Sequence, residues 1–467
     1  MLQQLSGLDA AFLAMDSGSN YGHVGSVSIL QGSDGLTLER LTETFGSRLH
    51  LVPLFTRRLV QVPLGIDQPY WIEDPDFDLE FHVREIALPS PGDDRQLAEQ
   101  IGRLHSRPLD RARPLWEAYL IYGLEGERQA LYTKVHHAAI DGASGGEALG
   151  LLMDPDPEGR TIAPAPERVV ESAPSGLSLL RRSVGHLAFQ PIRAARVMAD
   201  LTGALPGIAR AFALAPAGTT MDGAVLSRTP VRPPSTPFNR NVTPHRRWSF
   251  RWVLLDDVKQ VRVAHGGSVN DVVMAMCAGA VRRWLSDHEA LPEGPLVAGV
   301  PISVRTEDKK GAFGNEVNML MSLLPTNLAD PFARLRAVQE AMRVAKEQHA
   351  AIPARVLSDI TQFSMPALTA RASRLAAQLR LAERSTPLNL VISNVPGPRN
   401  PLYFGGARML ATYPVSAIAD GIGLNITVTG YGDGLGFGLV ACRELVPDLD
   451  DLAGHLIDEL ALLKATS

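Results

Sequence analysis

Apolar and polar positions alternate with a period of two along His23–Leu30, where Val24, Ser26 and Ser28 oppose His23, Gly25, Val27 and Ile29. That period predicts a half-buried strand. The same reading predicts strands over Phe77–Ile86, Glu117–Tyr122 and Gln129–Val135, with Glu125-Gly126-Glu127 turning the chain between the last two. Helical spacing governs the stretches between them. Leu8, Phe12 and Met15 share one side of a short helix that Ser6 can cap. Leu38, Leu41, Phe45 and Leu49 follow a Thr37 cap, with Arg40 at N3 and Pro53 as the stop, and Asp93–Leu104 predicts a third helix.

Asp154-Pro155-Asp156-Pro157-Glu158-Gly159 and Pro164-Ala165-Pro166 break this first pattern. Residues 172–220 read as a helical linker, and Pro230–Pro237 closes it. Beyond it, strands are predicted over Trp248–Leu254, Val297–Val304, Glu316–Leu324, Leu388–Val395, Gly423–Gly430 and Leu435–Cys442. Helices are predicted after Leu255, through Val272–Val281, over Pro331–Glu347, within Arg355–Glu383 and over Leu449–Leu463. The Val272–Val281 stretch is apolar nearly all round, which marks a deeply buried helix. The fold class is therefore α/β (α+β), with an N-terminal unit over 1–155, a crossover linker over 156–245 and a C-terminal unit over 246–467. The two units are similar in size and class, without a direct sequence repeat.

Composition narrows the function classes. A chain of 467 residues with 45% hydrophobic and 20% charged residues holds two or three domains and one or more large cores. The formal net charge of -5 offers no basic field for nucleic acid. Cys277 and Cys442 lie far apart and outside any metal-ligand spacing, which fits a reducing, cytosolic setting. The start, Met1–Asp9, carries no basic segment, so no signal peptide is expected. No uncharged apolar run reaches the length of a membrane span. One segment stands apart: Arg181, Arg182, Arg193, Arg196 and Arg210 face only Asp200. Its basic amphipathic pattern suits an anionic lipid surface, and equally a crossover helix with its arginines in water.

The chemistry concentrates in His136-His137-Ala138-Ala139-Ile140-Asp141-Gly142. A strand delivers the histidines and a small-residue helix start follows them. Strand alternation sends His136 and His137 to opposite faces, so one is reactive and the other supports it. Imidazole near its own pKa is the side chain suited to take a proton from an alcohol, which makes the reactive member of the pair a candidate general base. Asp141 either orients the imidazole or holds the turn through a cationic partner, and Gly142 permits the sharp backbone. No HExxH or clustered cysteine supports a metal site, and no GxSxG elbow follows a strand; Gly142-Ala143-Ser144-Gly145-Gly146 shares only the motif's last glycine. Asn270 heads the buried helix as a donor to an oxyanion or a positioning group for the acceptor, or as a plain N-cap with Asp271 as first-turn acid. Trp116, Ser144, Asn270 and Asn394 are the candidate substrate contacts. Asn394-Val395-Pro396-Gly397-Pro398 reads foremost as a scaffold turn, and Trp116 as core. The remaining histidines have no partner pattern.

His136–Gly142 resembles the HHxxxDG motif of the CoA-dependent acyltransferase superfamily. Pro114-Leu115-Trp116, Asn270-Asp271, Gly314-Asn315-Glu316-Val317-Asn318, Asn394–Pro398 and the opening Leu5-Ser6-Gly7-Leu8-Asp9-Ala10-Ala11-Phe12 are together similar to the bacterial wax ester synthase/acyl-CoA:diacylglycerol acyltransferase family. The resemblance spans essentially the whole chain. It implies two chloramphenicol-acetyltransferase-like subdomains with an active-site tunnel between them. It also implies acyl-CoA as a substrate, with no cofactor, and diacylglycerol or a long-chain alcohol as acceptor. His137 would then be the base, with Asp141 structural and Arg305 its salt-bridge partner. A peripheral contact with membrane or a lipid droplet is the implied setting. Two rivals are a condensation-type acyltransferase using a carrier-protein thioester and a non-catalytic lipid-droplet binding protein.

Overall fold

The computed structural model describes residues 2–16, 18–32, 36–139, 150–166, 173–183, 219–221, 224–226, 233–303, 317–350 and 386–465. Within them the architecture is two six-stranded mixed sheets flanked by helices. The first sheet runs, edge to edge, through Tyr403–Phe404, Ala407–Val415, His23–Leu30, Arg128–His136, Trp116–Leu124 and Val83–Ala87. The second runs through Arg246–Leu254, Gly434–Cys442, Leu424–Tyr431, Leu390–Val395, Leu296–Ser303 and Val317–Leu324. A small three-stranded sheet of Gln3–Gln4, Tyr70–Glu73 and Arg57–Val60 sits beside the first.

The local signals explain most boundaries. Ser6 accepts the Asp9 N–H at 3.1 Å and starts the helix Gly7–Met15. Thr37 accepts the Arg40 N–H at 3.3 Å before Leu38–Arg48. Asp93 and Gln96 form a reciprocal capping box for Asp94–His105. The helices expected within Arg355–Glu383 and most of the linker over 172–220 lie outside the described residues; among the described residues one expectation fails. The strand expected over Phe77–Ile86 opens instead with a single helical turn, Leu79–His82, because Asp78 caps it by accepting the Glu80 N–H at 3.0 Å; the strand begins at Val83. The apolar alternation there did not register a cap inside the run.

Each face of the first sheet is covered. Leu30, Trp116, Leu120, Leu131 and Val135 pack with Phe45 of the helix Leu38–Arg48 on one side. On the other, Val27, Ile29, Ile121 and Tyr132 meet Leu97, Ile101 and Leu104 of Asp94–His105, and also Trp248, Phe250 and Val440 of the second sheet. That second core is thus common to both halves. The C-terminal half has its own core around Val269–Asp287, whose residues Val272 to Val281 are all buried, as the all-round apolar pattern predicts.

The strand Ala407–Val415 falls within the stretch read as the C-terminal unit, yet it pairs antiparallel with His23–Leu30. Its route explains the glycines of the strand Gly434–Cys442. A Cβ on Gly436 would stand 2.1 Å from the Thr412 carbonyl oxygen, and one on Gly438 1.8 Å from that of Pro414. Only glycine lets the two backbones pass so closely.

Candidate active site

The strand Arg128–His136 lies in the middle of the first sheet, and its pairing with His23–Leu30 ends at the pair His23–His136. His136 sits on the same face as Tyr132 and Lys134 and is 1% exposed. Its Nδ1 accepts the Ala138 backbone N–H at 3.0 Å, so the neutral ring carries its proton on Nε2, 3.5 Å from Asp16 Oδ2. The chain then turns. His137 donates its backbone N–H to the Gly22 carbonyl at 2.7 Å, and its half-buried ring stacks on Phe12 with centroids 4.1 Å apart and planes at 17°. The two histidines therefore differ in kind: one is enclosed with both ring nitrogens facing protein groups, the other stands beyond the last strand pair against an aromatic wall.

Beneath His136 lies a buried polar network. Lys134 Nζ pairs with Glu117 Oε2 at 2.9 Å and donates to the carbonyls of Leu104 and Arg107. Tyr119 donates to the same Glu117 oxygen at 2.9 Å. His105 accepts from the Tyr132 hydroxyl through Nδ1 at 2.8 Å and donates through Nε2 to the Ser416 carbonyl at 3.1 Å, joining the two halves. Burial, reinforced by Lys134 and Arg246, pushes His105 down to about 3, and burial takes His23 well below its ordinary range. Both rings are neutral at physiological pH. Burial also draws Lys134 downward, with Glu117 opposing it.

The second half brings two of the sequence candidates together. Asn394, in the strand Leu390–Val395, donates from Nδ2 to Asn270 Oδ1 at 3.2 Å. The helix Val269–Asp287 is capped by Ser268, which forms a capping box with Asp271, so the plain N-cap role open to Asn270 belongs to Ser268. Asp271 is the first-turn acid, as expected. With Oδ1 engaged by Asn394, the Asn270 amide is left with its N–H donors to offer. After Asn394, Pro396 leads into Gly397, where a Cβ would stand 1.8 Å from the Gly430 carbonyl oxygen. That close approach is a scaffold requirement. Trp116 is 2% exposed; its Nε1–H donates to the Phe55 carbonyl at 2.8 Å and its ring stacks on Phe55, His82 and Phe45, a core position. Asp141, Gly142, Ser144 and Arg305 lie outside the described residues, and so does the expected Asp141–Arg305 pair.

Residues without a sequence motif complete the surroundings. Phe12, Asp16, Gly22 and Arg111 all touch the histidine pair or its support, although the Leu5–Phe12 stretch was read only as a capped helix and a family similarity. No spacing rule connects position 16 with position 136; the sheet does. Among the described residues no group of His, Cys, Asp and Glu is arranged to hold a metal ion, and no described helix is long and apolar enough to cross a membrane.

Comparison with known proteins agrees across the chain. Residues 5–273 match the model of the wax ester synthase/diacylglycerol acyltransferase catalytic domain, and 313–464 that of the WS/DGAT C-terminal domain. A putative diacylglycerol O-acyltransferase of Mycobacterium tuberculosis is 38% identical over 466 residues, covering 98% of this chain and 99% of its own. A probable diacylglycerol O-acyltransferase of the same species is 37% identical over 464 residues, covering 97% and 96%. Among solved structures, the wax ester synthase/diacylglycerol acyltransferase from Marinobacter aquaeolei VT8 superposes with a TM-score of 0.70 at 30% identity over 99% of both chains. The first condensation domain of the calcium-dependent antibiotic synthetase gives 0.56 at 19% identity, covering 99% of this chain and 97% of its own, which shows a common fold alone.

Proposed function

We propose, for a chain that belongs to the wax ester synthase/diacylglycerol acyltransferase family and is an acyltransferase, direct transfer of a long-chain fatty acyl group from acyl-CoA to a hydroxyl, with His137 as general base. The observation that carries the assignment is the division of the histidine pair. His136 is enclosed with its Nδ1 used by Ala138, while His137 is half-buried past the strand end with its ring against Phe12. His137 takes the proton of the acceptor hydroxyl as its oxygen bonds to the thioester carbonyl carbon. The tetrahedral oxyanion collapses, the C–S bond breaks, and the CoA sulfur takes the proton back from His137. No covalent acyl-enzyme forms and no cofactor enters.

Asn270 donates to the oxyanion or positions the acceptor, and Asn394 orients its amide. Asp141 holds the turn after His137, with Arg305 as its partner. Gly142 shapes that turn, and Ser144 contacts substrate; the roles of Asp141 and Gly142 rest on the motif, and those of Arg305 and Ser144 on the family resemblance. Diacylglycerol is the leading acceptor, from the names of the relatives, and a long-chain alcohol is the second, from the Marinobacter structure.

Peripheral contact with a lipid surface suits such substrates. Pro63 lies against Gly176, and the residue after each is an exposed leucine, Leu64 at 82% and Leu177 at 63%, while Arg181 and Arg182 are exposed on the helical segment that holds Leu177. The test offers the purified protein palmitoyl-CoA with hexadecanol and diacylglycerol in competition and measures CoA release and ester products. Transfer that falls by roughly 10²–10⁴-fold in His137→Ala supports the reading. Full transfer by that variant, or transfer to neither acceptor by the parent protein, overturns it.

A further inference from the structure

The turn that presents His137 is held from a direction that no motif marks. Asp16 ends the helix Gly7–Met15, and its own backbone N–H makes the cap by donating to the Phe12 carbonyl. The carboxylate is therefore not needed as a cap. One of its oxygens, Oδ1, accepts the Gly22 N–H at 3.2 Å. The other, Oδ2, accepts from Arg111 Nη2 at 2.9 Å and lies 3.5 Å from His136 Nε2. Arg111 also donates to the carbonyls of Leu13 and Asp16, so the guanidinium fixes both the helix end and the carboxylate.

We propose that Asp16 is a positioning residue for the acyl transfer: through the His136 ring and the Gly22 backbone it fixes the turn from which His137 reaches the substrate. Two routes lead from this one carboxylate to the base. The first runs through His136. Because Ala138 donates to Nδ1, the ring holds its proton on the Nε2 side, which faces Asp16, and the same ring fixes the Ala138 N–H, one residue beyond His137. The second runs through Gly22, whose N–H is held by Asp16 and whose carbonyl accepts the His137 N–H at 2.7 Å. One turn earlier on the same helix, Phe12 covers the His137 ring.

The loop that follows Asp16 is tied down at its far side by the C-terminal half. Asn20 and Asp420 exchange two hydrogen bonds, Asn20 Nδ2 to Oδ2 at 3.0 Å and the Asp420 N–H to Asn20 Oδ1 at 2.8 Å. Arg246 donates to the Ser19 carbonyl and stands over the Tyr21 ring. Asp16 and residues 18 to 22 thus form a strut between the two halves, and Gly22 at its end bonds the backbone of His137. Burial pushes the Asp16 carboxyl upward, but His136 and Arg111 outweigh it and keep the group below its ordinary range, so the strut is ionised at neutral pH.

The inference rests on His137 acting as the base. Its test measures kcat and KM for acyl-CoA, with thermal unfolding, in Asp16→Asn, Asp16→Ala, His136→Gln and the double variant Asp16→Ala/His136→Gln. A small displacement of a catalytic group costs on the order of 10²-fold in rate. Asp16→Ala is expected to lose kcat by about that factor, and Asp16→Asn, which keeps an oxygen for Gly22, by about 10-fold, with KM changed less than about twofold. The double variant should fall well short of the product of the two single losses. Independent, multiplying losses overturn the proposal, as does a raised KM at unchanged kcat. An inactive parent protein overturns both this and the His137 reading. An active parent beside an unimpaired Asp16→Ala variant overturns this one alone.

Discussion

Gly22→Ala isolates the geometry around the histidine pair in one methyl group. The added Cβ would stand 2.9 Å from His136 Nε2, 3.0 Å from His136 Cε1 and 3.3 Å from the Phe12 carbonyl oxygen. Ordinary contact begins near ~3.5 Å, so either the ring or the loop must give by about half an ångström. The ring is 1% exposed and engaged at Nδ1, and the Gly22 N–H and carbonyl are both bonded. Overpacking of this kind costs roughly 1–3 kcal/mol, partly offset by about 0.4–1 kcal/mol from the stiffer unfolded chain. The expected stability loss is thus only about 1–2 kcal/mol. The rate loss is larger, because the Gly22 carbonyl holds the His137 backbone, and displacement of the base by part of an ångström costs on the order of 10²-fold in kcat. Initial rates of CoA release, followed by a thiol reagent, and thermal unfolding are measured on the same preparations. Gly454→Ala is the control: its Cβ would meet nothing within 4 Å on an interior turn of Leu449–Lys464, so it should be neutral or stabilising by up to about 1 kcal/mol. A Gly22→Ala enzyme with parental kcat, or one whose activity falls only in step with its folded fraction, refutes the reasoning.

Further outcomes follow from other contacts. Asn270→Ala and Asn394→Ala should each reduce kcat, by up to about 10²-fold for Asn270, and the double variant should be no worse than Asn270→Ala; additive losses would separate the two residues. Gly397→Ala should destabilise by about 3 kcal/mol or more, since its Cβ would collide with the Gly430 carbonyl at 1.8 Å; a soluble, fully stable variant would show that the Asn394–Pro398 turn has more room than it displays. For pH, His105 titrates near 3 in the folded chain and near 6.5 unfolded, so the unfolded state binds the extra proton between those values. The stability associated with the neutral ring is present above about pH 6.5 and is lost as pH falls toward 3, at up to about 1.4 kcal/mol per pH unit. Urea midpoints of His105→Gln and the parent should therefore converge on acidification from pH 7 to 4. A constant gap would mean that His105 is not the group responsible.

The sequence by itself determined most of the elements, because caps and periodicity are encoded locally, while the strands Arg57–Val60, Tyr70–Glu73 and Ala407–Val415 were not read from it. Period-two alternation placed His23–Leu30, and caps at Ser6, Thr37 and Asp93 placed the helices they begin. The all-round apolar run marked Val272–Val281 as buried, and the strand pattern placed the histidine pair at a strand end, although the strand stops at His136 and the turn after it, rather than alternation, sets His137 apart. What tertiary structure decided was adjacency. The strand Ala407–Val415 joins a sheet whose neighbouring strand lies nearly 400 positions earlier, a pairing written only in glycines of a third strand that let two backbones touch. Asn270 carried the same local pattern whether it was a cap or a partner for Asn394; only the approach of another strand distinguished them. Asp16 and Arg111 reach His136 through space, so no spacing announced them. Local sequence sets backbone preference within a few residues, whereas contacts between distant segments depend on packing energy summed over the whole core, which no window of the chain contains.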